Sequence, residues 1–416
     1  MRKALIVSYY FPPINMIASK RYGTMCRYFE EYGYKPYIIT TTPDTSCFWK
    51  VGFDLDLPVA KEQIIRIGRM RNDVKVKSRH TRLLLELMKK LNIRSRTITS
   101  SSIEWYNEVK EKIDISQLQD IDIIIGTFPP MENLFVAKYL SKKLGCPYVA
   151  EIRDLISDYA ELDRRPVLGR ILDLLVERNI LRQAKGIISV TAGFRNILKK
   201  RYPDKMHKVI YNGWDEERCP WVNQEVHHRY LYYAGSFYQH RLESFKLLVK
   251  CIRQMNERLE NKIELIVRSI GPRYMDIEVK KIIQQEHMTE YVKILYAVSE
   301  EIVREEQEGA YINIILGSVR DGNRALTATI PGKAYELMRE TAPILAIAPQ
   351  NSEIGKLLTY TNKGIAATEE DEIIQYILYR NKQYSGNSNI EYFSRKKQAK
   401  RICRFLDYVL DGRASI

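Results

Sequence analysis

Thirteen short runs of apolar and β-branched residues, each followed by a stretch long enough to hold a helix, limit this chain to a narrow set of folds. In the first half the runs are 3–8, 36–40, 64–67, 121–126, 147–152, 186–190 and 208–211; in the second they are 230–234, 263–267, 292–295, 311–316, 343–348 and 364–367. They are apolar almost without interruption instead of alternating with polar residues, the pattern of strands covered on both faces. Strand and helix in alternation then give parallel sheets wound with crossover helices. One hydrophobic core rarely serves 416 residues, so two doubly wound α/β domains of roughly 200 residues each are expected.

The stretch 212–229 separates the two series. It mixes turn residues with charges of both signs, lacks periodicity and reads as a linker. The expected organisation is a first domain over 1–211, the linker over 212–229, a second domain over 230–394 and a closing basic helix within 395–416, able to return to the first domain. Apolar residues at 45% and charged residues at 28% fit a folded globular chain. No apolar run approaches the ~20 residues that span a bilayer, and the opening segment lacks the cleavage pattern of a signal peptide. The chain reads as cytoplasmic. Its six cysteines are scattered without CxxC or zinc-ligand spacing, so reduced structural thiols are expected.

A formal charge of +15 calls for an anionic partner. Between residues 61 and 96, Arg66, Arg69, Arg71, Lys75, Lys77, Arg79, Arg82, Lys89, Lys90, Arg94 and Arg96 face only Glu62, Asp73 and Glu86. Leu83, Leu84, Leu87, Met88 and Leu91 recur there at helical spacing. The segment is either a basic amphipathic helix suited to anionic headgroups or an ordinary solvated helix. No nucleic-acid-binding module accompanies the charge, which argues against that class of partner.

Ligands of open parallel sheets bind beyond the C-terminal ends of the strands. Neither GxGxxG after the first run nor GxxxxGK[ST] occurs, so a dinucleotide fingerprint and a P-loop are both missing. The segment 330–349, IPGKAYELMRETAPILAIAP, is the most informative stretch. Pro331 fits the first turn of a helix, and Gly332 permits close backbone approach to a ligand. The free N–H groups of that helix suit a diphosphate, Lys333 adds a cation, and Glu336 one turn on can accept hydrogen bonds from two ribose hydroxyls. A plain helix cap before a buried strand is the alternative. Arg153 and Asp154 follow the run PYVAEI and should project from a strand end, as catalytic groups or as a salt-bridged pair that orders a loop. None of the six histidines follows a first-domain strand where a general base would sit; His240 is the nearest to a proposed site.

Taken in order, SYYFPP at 8–13, EIRDL at 151–155, VIYNGWD at 209–215, YYAGSFYQHR at 232–241 and the 330–349 segment resemble GT-B glycosyltransferases, glycosyltransferase family 4 in particular. The resemblance covers nearly the whole chain. It implies two Rossmann-like domains whose parallel sheets face an interdomain cleft, with a nucleoside diphosphate sugar held by the second. Glu336 stands where the family's glutamate grips the donor ribose. The family's second glutamate, eight positions earlier, is Ala328 here, and Thr327, Thr329, Asp321 or Asn323 are candidates to replace its sugar contacts. After Gly235 the family's arginine is Ser236, and Arg241 stands in place of its lysine five residues later. The implied donor site is therefore Gly235, Ser236, Arg241, Thr329, Ile330, Pro331, Gly332, Lys333 and Glu336. On the acceptor side INMIASKR replaces the family's glycine pair, leaving Ser19 and Arg21, the latter expected to open a helix and meet an acceptor phosphate.

The resemblance implies retaining transfer to a glycan or lipid-linked acceptor in surface polysaccharide assembly, catalysed by positioning and charge stabilisation through Arg153, Asp154, Arg241 and Lys333. No cofactor or metal is expected; the DxD match at Asp54 to Asp56 falls in a loop. Peripheral contact with the inner face of the cytoplasmic membrane accords with the basic region. Two other readings stay open: a sugar-nucleotide epimerase of the same architecture, and a non-catalytic partner in glycan assembly, suggested by Ala328 and Ser236.

Overall fold

A computed structural model of the protein describes all residues except 45–54, 71–75, 77, 159–165, 216–229, 270–272, 320–323, 380–388 and 413–416. Asp54, Asp321 and Asn323 thus lie outside the described residues, as does most of the linker.

All thirteen apolar runs form strands. β1 (Arg2–Val7), β2 (Tyr34–Thr42), β3 (Ile64–Arg69), β4 (Ile123–Phe128), β5 (Tyr148–Ile152), β6 (Gly186–Ser189) and β7 (Met206–Val209) make one sheet in the order β3-β2-β1-β4-β5-β6-β7. β8 (Tyr230–Gly235), β9 (Glu264–Ser269), β10 (Val292–Leu295), β11 (Ile312–Leu316), β12 (Ile344–Ile347) and β13 (Gly364–Ala367) make the other, ordered β10-β9-β8-β11-β12-β13. Every pairing is parallel. The central strands β4, β5, β11 and β12 are buried at every residue, whereas the edge strands β3, β7 and β10 are partly open, which is why charged residues such as Arg66, Lys208 and Lys293 appear in the edge runs.

The chain divides into two compact units. Unit 1 comprises Met1–Asp215 with Arg395–Ile416, and unit 2 comprises Glu216–Ser394. The helix Arg395–Asp411 supplies Ala399, Ile402, Cys403, Phe405, Leu406 and Val409 to the unit 1 core, beside Ile6 of β1 and Ile125 of β4. Gly186 admits it closely: a Cβ there would lie 2.8 Å from the Phe405 ring. Arg2 clamps its far end through Asp407 at 2.7 Å and Asp411 at 2.8 Å. In each sheet the strand order reverses once, between β1 and β4 and between β8 and β11, the point at which open parallel sheets hold their ligands.

Candidate functional site

In unit 1 the loop after β1 is fixed by Asn133, whose Oδ1 accepts from the Tyr9 N–H at 2.7 Å while its Nδ2 donates to the Thr127 carbonyl at 2.7 Å. The helix that follows begins at Ile17, so Arg21 lies inside it and does not open it. Its guanidinium points inward, 3% exposed, and donates from Nε and Nη2 to Glu151 Oε1 at 2.9 and 2.7 Å. It also reaches the carbonyls of Ile210 and Tyr211 and the Asn212 side chain. Burial by itself would raise the Glu151 carboxyl, but Arg21, Arg153 and the Thr127 hydroxyl outweigh it and hold the group below the usual carboxylate range. EIRDL and VIYNGWD therefore meet on one arginine, whose hydrogen-bonding positions are engaged within the protein. The expectation that Arg21 meets an acceptor phosphate is corrected accordingly. Ser19, 1% exposed, is equally closed to a ligand in this conformation.

Arg153 also turns back into the fold, donating to the Pro129 carbonyl at 2.5 Å and, at 3.5 Å, to that of Ala18. Asp154 pairs with Arg96 at 3.6 Å. The two residues do not form the expected salt-bridged pair with each other; each instead ties its loop to another part of unit 1. Sequence reading passed over Glu132, the first residue of the Glu132–Leu144 helix after β4. It is 3% exposed beside Tyr10, and burial raises its carboxyl to about 7. The signal was available: a lone acid just beyond the end of a strand at the reversal point.

In unit 2 the loop after β8 carries a compact cationic group. Gly235 adopts φ +149°, a backbone that side-chain-bearing residues rarely take. A Cβ on it would lie 3.6 Å from Lys333 Nζ. That ammonium donates to the Ala234 carbonyl at 3.1 Å and the Ile314 carbonyl at 3.4 Å, and sits 3.9 Å from the centroid of the Tyr233 ring. Arg241 donates from Nη1 to the Ser236 carbonyl at 2.8 Å and lies 4.8 Å over the Tyr238 ring, while its Nε is buried without a partner. Burial, then the nearby Arg241 charge, drives the Lys333 pKa well below the usual lysine value. Burial and Arg241 likewise lower His240 to about 4, so it is neutral at pH 7. Among the described residues no carboxylate pairs with Arg241 or Lys333.

The segment 330–349 differs from its expected form. Pro331 and Gly332 do precede a helix, but it runs only over Lys333–Leu337. Five residues cannot build a useful macrodipole, so the expected dipole contribution to anion binding is withdrawn. The cations remain. Thr329 turns its hydroxyl to the Ala325 carbonyl at 2.8 Å, Thr327 to that of Arg324 at 3.3 Å, and Ile330 is buried. Gly332 faces open space, and the Glu336 carboxylate makes no hydrogen bond or ion pair with the described residues. A recess within unit 2 is lined by Arg241, Gly317, Thr327, Thr329 and Pro331. Among the described residues no cluster of His, Cys, Asp and Glu could hold a metal ion.

Two Rossmann-like domains in one chain, each with its reversal crevice, define the GT-B fold, and solved structures bear this out over the full chain. WaaB, a lipopolysaccharide outer core galactosyltransferase, superposes with a TM-score of 0.53 at 12% identity, covering 99% of this chain and all of its own. HepE from Anabaena, solved with UDP and glucose, gives 0.56 at 11% identity over 99% and 98% of the two chains. The UDP-GlcNAc 2-epimerase of Methanocaldococcus jannaschii gives 0.51 at 13% identity over 98% and 100%. No protein-family model and no curated protein sequence matches the chain.

Proposed function

We propose that the protein is a glycosyltransferase of family 4 type that takes its donor as a nucleoside diphosphate sugar. The carrying observation is the Arg241–Lys333 pair beside Gly235, two basic side chains at a reversal crevice with no carboxylate partner among the described residues. A diphosphate supplies that charge: Arg241 can grip it with two donors, Lys333 as a point charge, and the unusual Gly235 backbone leaves room for both. Glu336, with no partner among the described residues, is the acceptor for the ribose hydroxyls. As the sugar leaves, charge accumulates on the diphosphate, and the same cations stabilise that change, which needs neither a metal nor a strong protein base. The acceptor is a glycan or lipid-linked sugar of surface polysaccharide assembly, and transfer retains configuration. Ala328 leaves the sugar contacts to other groups.

The test is incubation of purified protein with a panel of sugar nucleotides and lipid-linked or glycan acceptors. Release of nucleoside diphosphate is expected only when acceptor is present. Acceptor-independent turnover identifies an epimerase, a reaction the same fold also carries. Nucleotide binding without turnover identifies a non-catalytic partner, and a panel that is neither bound nor consumed ends the reading. Glu336→Ala removes two charge-assisted hydrogen bonds and should weaken UDP or GDP binding about tenfold to hundredfold by calorimetry.

A further inference from the structure

Unit 1 carries a helix built inside out. In Val167–Leu181 the inward face holds Asp173 and Glu177, both fully buried, with Gly169 before them and Ile180 and Leu181 in the last turn, while Val167, Leu168, Ile171 and Leu175 are 67%, 56%, 48% and 55% exposed. The acids are satisfied: Asp173 accepts from the Arg96 and Thr97 N–H groups and the Ser95 hydroxyl, Glu177 from the Ser157 N–H and the Tyr202 hydroxyl. A helix meant for water places these residue types the other way round.

Its neighbour repeats the pattern. The helix Arg79–Lys90 exposes Leu83, Leu84 and Leu87, continued by Leu91 just past its end, and buries only Met88. The segment that follows is locked onto the first helix, since a Cβ at Gly169 would lie 2.2 Å from the Arg94 carbonyl and Asp173 holds residues 95–97. The two stripes therefore sit on adjoining elements. They hold eight of the ten exposed large apolar side chains of unit 1 among the described residues, the others being Met1 and Ile17. Exposed Arg79, Arg82, Lys89, Lys90 and Arg94 border the first stripe, with Glu86 as its one acid, and exposed Arg170 and Arg178 border the second.

We infer that these two helices are a docking surface for an anionic phospholipid bilayer, the leucines entering the headgroup boundary and the cations meeting lipid phosphates. Charge selects this occupant: aliphatic stripes rimmed almost wholly by cations match a surface that is apolar beneath and negative above. The sequence left the 79–90 segment undecided between this role and a solvated face; its own exposed leucines and the second stripe on the adjoining helix favour this role. The inference does not depend on glycosyl transfer, and its readout is binding.

The test is co-sedimentation of the full chain with vesicles of phosphatidylcholine, with and without phosphatidylglycerol. Wild type should bind the anionic vesicles, and added salt should weaken binding. Joint Leu83→Ser and Leu87→Ser, or Val167→Ser and Ile171→Ser, should each weaken it at least about tenfold, as should Arg79→Gln, Arg82→Gln, Lys89→Gln and Lys90→Gln combined. All these side chains are exposed, so the variants should keep wild-type circular dichroism and UDP affinity. Binding that is absent, or indifferent to the substitutions, overturns the inference. So does a wild-type dimer that becomes monomeric in the serine variants, because the stripes would then join two copies of the chain.

Discussion

Arg21→Met should lower the stability of unit 1 by about 3–5 kcal/mol, a fall of roughly 6–20 °C in the midpoint of thermal unfolding. Methionine retains much of the side chain's bulk but leaves the fully buried Glu151 without its main counter-charge, and three partners at 210–212 lose their donor. Acidity should reveal the cause. In the wild type the lowered Glu151 pKa stabilises the fold above the unfolded carboxylate value, and that contribution disappears as pH falls through the folded value. In the variant burial dominates and raises the pKa, so the folded state binds more protons than the unfolded one and its stability falls as pH rises. The deficit against wild type should therefore widen from acid to neutral pH. Adding Glu151→Gln should recover part of it. A loss of under about 1 kcal/mol at pH 7, independent of pH, would refute the buried-pair account.

Lys333→Met should weaken nucleoside diphosphate binding about 100-fold, the range for losing a charge-assisted contact together with its hydrogen bonds. Proton linkage separates this from a packing defect. With its pKa well below the ordinary lysine value in the free protein, Lys333 is driven to take up a proton when a diphosphate arrives. Affinity should fall as pH rises from the free-state pKa toward the bound-state one. Titration calorimetry in buffers of different ionisation enthalpy should register proton uptake in the wild type and lose it in the variant. The free protein shows the opposite linkage: the unfolded chain binds more protons at this lysine, so stability rises with pH between the folded pKa and the ordinary value, and the methionine variant should lack that rise. Unchanged affinity in Lys333→Met would remove Lys333 from the donor site.

Fold was more legible than site because the two depend on different ranges of sequence. A strand buried on both faces declares itself locally, so β4 or β12 could be bounded to within a couple of residues from its own apolar run. Partnership is not local. Glu151 lies 130 positions from Arg21, and no spacing rule predicts that EIRDL and VIYNGWD converge on one guanidinium. The 330–349 segment misled for a related reason: KAYELMRE has good helix formers throughout, yet its helix stops at Leu337 and the chain turns before β12 begins at Ile344. The inside-out helix was hidden because DLLVERNIL has the right period in either orientation, and only burial shows which face turned inward.

The return of Arg395–Asp411 to unit 1 makes unit 2 an insertion within it, and this sets an order of events on the ribosome. The domain synthesised first is completed last: β1 to β7 must wait without the Phe405 and Leu406 side chains of their core until the final helix emerges, while unit 2 already has every strand of its own sheet. Removing Arg395–Asp411 would therefore unsettle the core built by the strands at the opposite end of the sequence. Arg2, bonded to Asp407 and Asp411, brings β1 beside the Arg395–Asp411 helix, so a circular permutant that links these two elements and opens elsewhere would let unit 1 form from continuous chain.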